Sequence, residues 1–175
     1  MTRSSPRSAL SLGDHAVLAL VAEQPRHGWA IVRELAPGGD LGRVWTLSRP
    51  LAYRSIDTLT TRRLIRATGT ELGDGPRRTI LAVTPAGRRE LDGWLARPVE
   101  HLRDVRTELL LKLVIGQRFR LDTRPLLRAQ KRELGGIIAG LEQAAAAPGA
   151  DLVAVWRHES AQAVQRFLDA ALESR

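Results

Sequence analysis

The chain has 175 residues, of which 43% are hydrophobic, and a net charge of +8 supplied by 25 arginines and 2 lysines against 19 acidic residues. This length allows one ordinary domain or a small domain with a helical module, and the surplus charge attracts polyanions such as nucleic acid. The absence of cysteine excludes disulfides and thiolate metal sites. Because neither a signal peptide nor a membrane-spanning run is apparent, we expect a soluble cytoplasmic protein.

The first third of the chain predicts a tail and two short helices. Residues 1–10 are polar and Ser-rich, which predicts a disordered tail. Apolar residues at helical spacing predict a first helix from Asp14, its N-cap, to Glu23. A second helix is expected from about His27 to Ala36, where a Pro-Gly-Gly-Asp turn ends it. A short extended piece at 44–46 leads to the next element.

A third helix is predicted to begin after Ser48, which is a suitable N-cap, with Pro50 in the first turn. Ala52, Ile56 and Leu59 recur at helical spacing, which predicts that they pack on the preceding helices. The same spacing places Arg63 on that face. The other faces carry Arg49, Tyr53, Arg54, Ser55, Thr58 and Arg62.

The hydrophobic period changes after this helix. Residues 64–68 and 78–83 are typical of two strands, and Gly73-Asp74-Gly75 between them is a hairpin turn signal. Thr84-Pro85 predicts the start of another helix, which continues through Leu95. Three helices followed by a β-hairpin form a winged helix-turn-helix, so we expect a mainly α fold with a DNA-binding domain at residues 11–95.

The remaining residues, 96–175, are predicted to be helical throughout. One helix is expected to break near Gly116, a second carries leucines at a seven-residue repeat, and a third is capped by Asp151. Three long amphipathic helices cannot all bury their apolar stripes against a small winged domain. A dimerisation region is the natural interpretation.

Basic charge is concentrated on two of the predicted elements. Residues 43–66 contain six arginines against one acid, and residues 76–89 contain four arginines and no acid. The third helix and the wing are the parts of a winged helix that approach DNA. Arg49 and Arg54 lie near the helix N-terminus, where arginine can pair with the edge of a guanine.

Three segments together resemble the PadR family of bacterial regulators. They are Pro25-Arg26-His27-Gly28-Trp29, the run from Tyr53 to Leu59 followed by Arg63-Leu64-Ile65, and Pro76-Arg77-Arg78-Thr79 with the run from Val83 to Arg88 and with Leu91, Trp94 and Leu95. The resemblance covers about residues 11–95 and implies a homodimer, usually a repressor, that binds an inverted-repeat operator near its own or a neighbouring gene. It also implies that Ser48 and Tyr53 of the recognition helix and Arg77 and Arg78 of the wing contact DNA.

The chain departs from the family pattern at three places. Trp29 replaces the usual tyrosine, Arg49-Pro50-Leu51 replaces a segment that is more often Pro-Gly-Ser or Pro-Gly-Thr, and Arg63 stands where glycine often precedes the strand. These departures leave the operator sequence open. The DNA-binding residues predicted from pattern and resemblance together are Ser48, Arg49, Tyr53, Arg54, Thr58, Arg77 and Arg78.

Four tryptophans stand out in a chain with 4% aromatic residues. They could form a site for a small aromatic effector, for which Trp156 is the candidate, or they could be core and interface anchors. The histidines lack the spacing of a metal site, and neither a phosphate-binding loop nor a nucleophile elbow is present. We therefore expect no catalytic residues, metal or cofactor, and not an enzyme.

Two other interpretations remain. A winged helix can serve as a protein-interaction adaptor whose basic face meets an acidic partner, without sequence-specific DNA binding. A membrane-surface helix in the second half is a weaker alternative, because its polar face lacks the required lysines and arginines beside aromatic anchors.

Overall fold

The computed structural model describes residues 9–71 and 77–173, and the chain divides into two compact units after Trp94. The predicted Gly73-Asp74-Gly75 turn and residues 1–8 of the predicted tail lie outside the described residues. The N-terminal unit contains α1 (Leu12–Glu23), β1 (Arg26–His27), α2 (Gly28–Leu35), α3 (Arg49–Thr61), β2 (Ile65–Glu71) and β3 (Arg78–Val83). Helix α4 (Pro85–Ala96) follows, and the division falls near its end.

Helix α1 is the centre of the N-terminal unit, since its residues from Gly13 to Ala22 are all buried. Its N-cap is Ser11, so the predicted N-cap at Asp14 was wrong. The Ser11 hydroxyl accepts from the Asp14 backbone N–H at 3.1 Å, and the Asp14 carboxylate accepts from the Ser11 N–H at 2.9 Å. This reciprocal capping box satisfies two backbone donors and starts the helix earlier than the apolar pattern indicates.

A small antiparallel sheet with strand order β1-β3-β2 forms the wing and its base. The two predicted hairpin strands are confirmed, with a register shift between Ala67 and Gly69. Strand β1 was not predicted, because two residues are too few to show an alternating pattern. The residues at 44–46, predicted to be extended, are not part of the sheet; Val44 and Trp45 both donate backbone hydrogen bonds to the Leu41 carbonyl.

Helix α3 begins after Ser48 and has proline in its first turn, as predicted. Ala52, Ile56 and Leu59 are buried, but so is Ser55, which the sequence pattern placed on an outer face. Arg63 is exposed and lies beyond the helix, with φ of 59°.

A Schellman motif ends α3 at this point. The Leu64 N–H donates to the Leu59 carbonyl and the Arg63 N–H to the Thr60 carbonyl. The motif requires a left-handed residue at Arg63, which explains why glycine is usual there.

The C-terminal unit, from Leu95 onward, is helical in its described part. It contains α5 (Leu102–Asp104), a π-helical turn (Val105–Leu109), α6 (Leu110–Arg118), α7 (Arg124–Ala146) and α8 (Leu152–Glu173). The predicted cap of the last helix is confirmed, because the Asp151 carboxylate accepts from the Ala154 N–H at 2.8 Å. The expected fold class, mainly helical with a small winged sheet, is confirmed.

The helix break predicted near Gly116 occurs two residues later, because α6 ends at Arg118. A Cβ atom at Gly116 would lie 2.6 Å from the Thr123 methyl carbon, so the glycine permits a close approach. The helix ends in a second Schellman motif, in which Arg120 has φ of 54° and the Leu121 N–H donates to the Gly116 carbonyl.

Two buried polar side chains hold the main chain just after α4. Lys112, 1% exposed, donates to the Arg97 carbonyl at 2.8 Å and forms an ion pair with Glu108 at 2.7 Å. Gln130, fully buried, accepts from the Val99 N–H and donates to the Val99 carbonyl, at 2.7 and 2.8 Å. These bonds satisfy backbone groups in a segment without regular secondary structure.

Candidate nucleic-acid interface

The exposed surface of α3 carries most of the predicted DNA-binding residues. Ser48, Arg49, Tyr53 and Arg54 are exposed, and Thr58 is half-buried. The Ser48 side chain makes no capping hydrogen bond. Arg49 and Arg54 form no ion pair within residues 9–71 and 77–173. Both guanidinium groups are therefore presented to solvent at the N-terminal end of the helix, where an anionic partner can reach them.

Arg49 lies against two aromatic rings along one edge of this surface. Its guanidinium carbon is 5.6 Å from the ring centroid of Trp29 and 5.8 Å from that of Tyr53. Both distances are within the range of a cation–π interaction. The rings are partly open to solvent, with Trp29 44% exposed and Tyr53 38% exposed.

The start of α2 brings these rings together. The His27 Nδ1 atom accepts from the Ala30 N–H at 3.2 Å and so caps the helix. A Cβ atom at Gly28 would lie 2.9 Å from the Tyr53 ring carbon Cε1, which real Cβ atoms essentially never do. Glycine at this position therefore lets Tyr53 lie against the first turn of α2, next to Trp29.

The other edge of α3 borders a half-open cleft of about 510 Å³. Arg54 and Thr58 line it from α3, beside Leu51, which is 47% exposed. Its remaining walls come from the start of α1 and from the segment before α3. The lining residues are Ala9, Ser11, Leu12, Gly13, Asp14, Trp45, Leu47, Leu51, Arg54, Ser55, Thr58 and Arg62. The predicted residues of α3 thus fall into two groups, on opposite sides of the helix.

The wing contributes a second basic surface. Arg77 and Arg78 are exposed, and Arg66 on the neighbouring strand is exposed as well. Arg88, which the sequence count included among the wing arginines, instead donates to the Ala22 carbonyl at 2.6 Å. The basic wing is therefore smaller than the charge count suggests.

The four tryptophans have different surroundings. Trp94 is buried and stacks on His15, with centroids 4.5 Å apart and planes 11° from parallel, so it is a core anchor. Trp29 packs beside the recognition helix, and Trp45 lines the cleft. Trp156 is 72% exposed on α8. Sequence reasoning missed the place of Trp29, although its departure from the family tyrosine marked the position.

The described part of the chain contains no group of three or more His, Asp or Glu side chains that could hold a metal ion. Within the same residues, none of the helices combines the length and the apolar character needed to cross a membrane.

Comparisons with known proteins agree with this arrangement. Residues 17–93 match the model of the Transcriptional regulator PadR-like family. The chain is 28% identical over 96 residues to the probable transcriptional regulator Rv1176c of Mycobacterium tuberculosis, which is 55% of this chain and 50% of that protein. It therefore spans about half the length of this curated relative.

Solved structures of Bacillus subtilis PadR are also similar. The complex with operator DNA has a TM-score of 0.47 and 20% identity, covering 91% of this chain and 97% of that one. The complex with p-coumaric acid has a TM-score of 0.46 and 19% identity, covering 93% and 97%.

Three helices, an antiparallel hairpin and a basic third helix define a winged helix-turn-helix protein. Residues 17–93 match the PadR-like family of transcriptional regulators, as the sequence resemblance implied. This is a family of regulators and not of enzymes.

Proposed function

We propose that the protein is a dimeric, cytoplasmic transcriptional regulator that represses its own or a neighbouring operon by binding an inverted-repeat operator. The exposed basic surface of α3 is the observation that carries the proposal. Arg49 and Arg54 are presented at the end of the helix that enters the major groove in winged helices. The exposed Arg77 and Arg78 of the wing supply contacts to the flanking phosphates.

Residues 96–175 are proposed to form the dimer interface. Large apolar side chains of α8 are exposed, with Leu152 at 86% and Trp156 at 72%. A second copy of the chain would bury them and present two α3 helices to successive major grooves, about 34 Å apart. An inverted-repeat operator matches the two-fold symmetry of such a dimer.

A small aromatic effector is proposed to release the DNA by changing the spacing of the two winged domains. The exposed ring of Trp156 on the proposed dimer surface supports this part of the proposal, since apolar walls and stacking hold flat ligands. Identical domain spacing with and without a ligand that relieves repression would contradict it.

The decisive experiment measures fluorescence anisotropy of the promoter of the protein's own gene and of a scrambled duplex, across a salt series. We expect the promoter to bind at least ~10³-fold more tightly than the scramble, as specific regulators do. Equal, weak and steeply salt-dependent binding of both duplexes would contradict the proposal. That result would instead favour the adaptor, whose basic surface binds an acidic protein.

A further inference from the structure

Two of the three departures from the family pattern are in direct contact in the folded protein. Trp29 is in the first turn of α2, and Arg49 is twenty residues further along the chain at the start of α3. The guanidinium carbon of Arg49 nevertheless lies 5.6 Å from the centroid of the Trp29 ring. Tryptophan is the best cation–π partner among the aromatic residues. The replacement of tyrosine by tryptophan and the gain of an arginine are therefore parts of one arrangement.

The arrangement restricts the guanidinium. An exposed arginine has a large rotamer entropy, part of which is lost whenever two of its five N–H groups must meet a fixed pair of acceptors. The rings of Trp29 and Tyr53 both lie within cation–π distance of Arg49, and the absence of a side chain at Gly28 leaves room for the Tyr53 ring. Because no ion pair occupies Arg49 within the described residues, its N–H groups remain available for an external acceptor.

We propose that Trp29 and Tyr53 hold Arg49 in position to read a guanine in the major groove, which makes Trp29 a specificity-determining residue of this protein. Guanine presents its O6 and N7 acceptors to the major groove, and arginine pairs with both at once. Trp29 acts as a positioning residue through Arg49. The proposal rests on the proposed DNA-binding function and adds one base identity and the side chains that select it.

The test starts with selection of the preferred duplex from a randomised library by the full-length protein. The affinity of the selected duplex is then compared with that of duplexes in which each conserved guanine is replaced in turn. Arg49→Ala is expected to lose about tenfold or more of the preference for one guanine per half-site. Trp29→Ala should reduce the same preference by about two- to fivefold, the effect of one exposed cation–π contact.

Non-additivity identifies the positioning role. Because Trp29 acts only through Arg49, the double variant should show the same guanine preference as Arg49→Ala alone. Arg49→Lys should keep the dependence on salt but lose the guanine preference, since lysine cannot pair bidentately. Trp29→Phe, the milder change, should give an intermediate preference if Trp29→Ala folds poorly. Arg43→Ala is the matched control, because Arg43 is also exposed and pairs only locally with Asp40 at 3.4 Å.

Three results would overturn the inference. Arg49→Ala could keep the guanine preference, Trp29→Ala could weaken all duplexes equally, or the two substitutions could act additively. Each would leave the proposed function intact provided that the wild-type protein still selects a sequence. Selection of no sequence at all by the wild type would contradict the proposed function itself, and the inference with it.

Discussion

The two units of the molecule differ in how much of their apolar side chains they bury. In α1 of the N-terminal unit, ten of twelve residues are buried, and the exposed large apolar side chains of this unit, Trp29, Leu51 and Tyr53, lie on or beside α3. In α8 of the C-terminal unit, only Ala161 and Leu168 of twenty-two residues are buried. The exposed large apolar side chains of this unit are Leu121, Ile137, Leu152, Val153, Val155 and Trp156. The N-terminal unit thus completes its core within one chain, whereas the C-terminal unit exposes a surface suited to a second copy.

Buried polar groups occur in both units. The N-terminal unit buries Arg26 but presents other arginines on the surface of α3 and the wing, whereas the C-terminal unit buries Lys112 and Gln130 against its own main chain. Burial of such groups is favourable only when their hydrogen bonds are made, so they tie the segment after α4 to one conformation. The comparison supports the proposal that one unit recognises a polyanion and the other associates with a second chain.

The largest effect is expected from substitutions in the exposed apolar surface of α8. Leu152→Asp combined with Trp156→Asp should dissociate the proposed dimer, raising its dissociation constant by about a hundredfold or more, because two apolar anchors are replaced by charges. Sedimentation velocity over a concentration series measures the change. Arg157→Asp on the same helix is the control for added charge and should leave the dimer intact. A wild-type monomer at all concentrations would refute the contrast between the two units.

The two lysines of the chain provide a second test. Lys112→Met should lower the free energy of unfolding by about 2–4 kcal/mol, because it removes the hydrogen bond to the Arg97 carbonyl and the ion pair with Glu108. Lys131→Met removes only an exposed pair with Asp169 and should cost less than about 1 kcal/mol. Denaturant titrations measure both. Equal costs would show that the buried lysine does not stabilise the unit.

The buried position of Lys112 also predicts that the stability of the protein depends on pH. Burial lowers the pKa of Lys112 below its usual value of 10.5. Between the lowered pKa and 10.5 the unfolded chain binds more protons at this residue than the folded chain, so its contribution to stability rises with pH across that window. The stability of the wild type relative to Lys112→Met should therefore increase as the pH approaches 10.5, which denaturant titrations at several pH values measure.

Within the N-terminal unit, we expect different residues to read bases and to bind phosphates. Arg54→Ala is expected to lose about 1–3 kcal/mol of discrimination at one base pair. Arg77→Ala with Arg78→Ala should instead weaken binding to all duplexes and flatten the salt dependence by about two units. Anisotropy titrations of matched and substituted duplexes at several salt concentrations distinguish the two, and each variant serves as the control for the other. Unchanged sequence preference in Arg54→Ala would remove this residue from base reading.

The smallest expected effect is a gain in stability that one substitution in each unit should produce. Arg63 and Arg120 both occupy the left-handed position of a Schellman motif, with φ of 59° and 54°. Arg63→Gly and Arg120→Gly should each raise the free energy of unfolding by up to about 1 kcal/mol, because glycine adopts this conformation without steric cost. Thermal unfolding measures the gain. Lower stability of either variant would show that the arginine side chain compensates for the strain.

Much of the fold follows from local patterns in the sequence. The start of α3 after Ser48, the cap at Asp151, the two hairpin strands and the amphipathic helices depend on interactions and spacings within a few residues, which the sequence displays directly. The basic character of α3 and the wing is a matter of composition, and the PadR resemblance rests on contiguous motifs. These features were predictable because their causes are local.

Only the tertiary structure decided which distant residues meet. The contact of Trp29 with Arg49, the pairing of β1 with β3, the burial of Ser55 and the bond from Arg88 to the Ala22 carbonyl depend on the angles at which elements pack. Gly116 shows the same limit, since the sequence indicates a helix end near this glycine but not its close contact with Thr123. Propensity describes the free energy of a residue in its own segment, whereas packing adds the contribution of neighbours that the linear sequence does not identify.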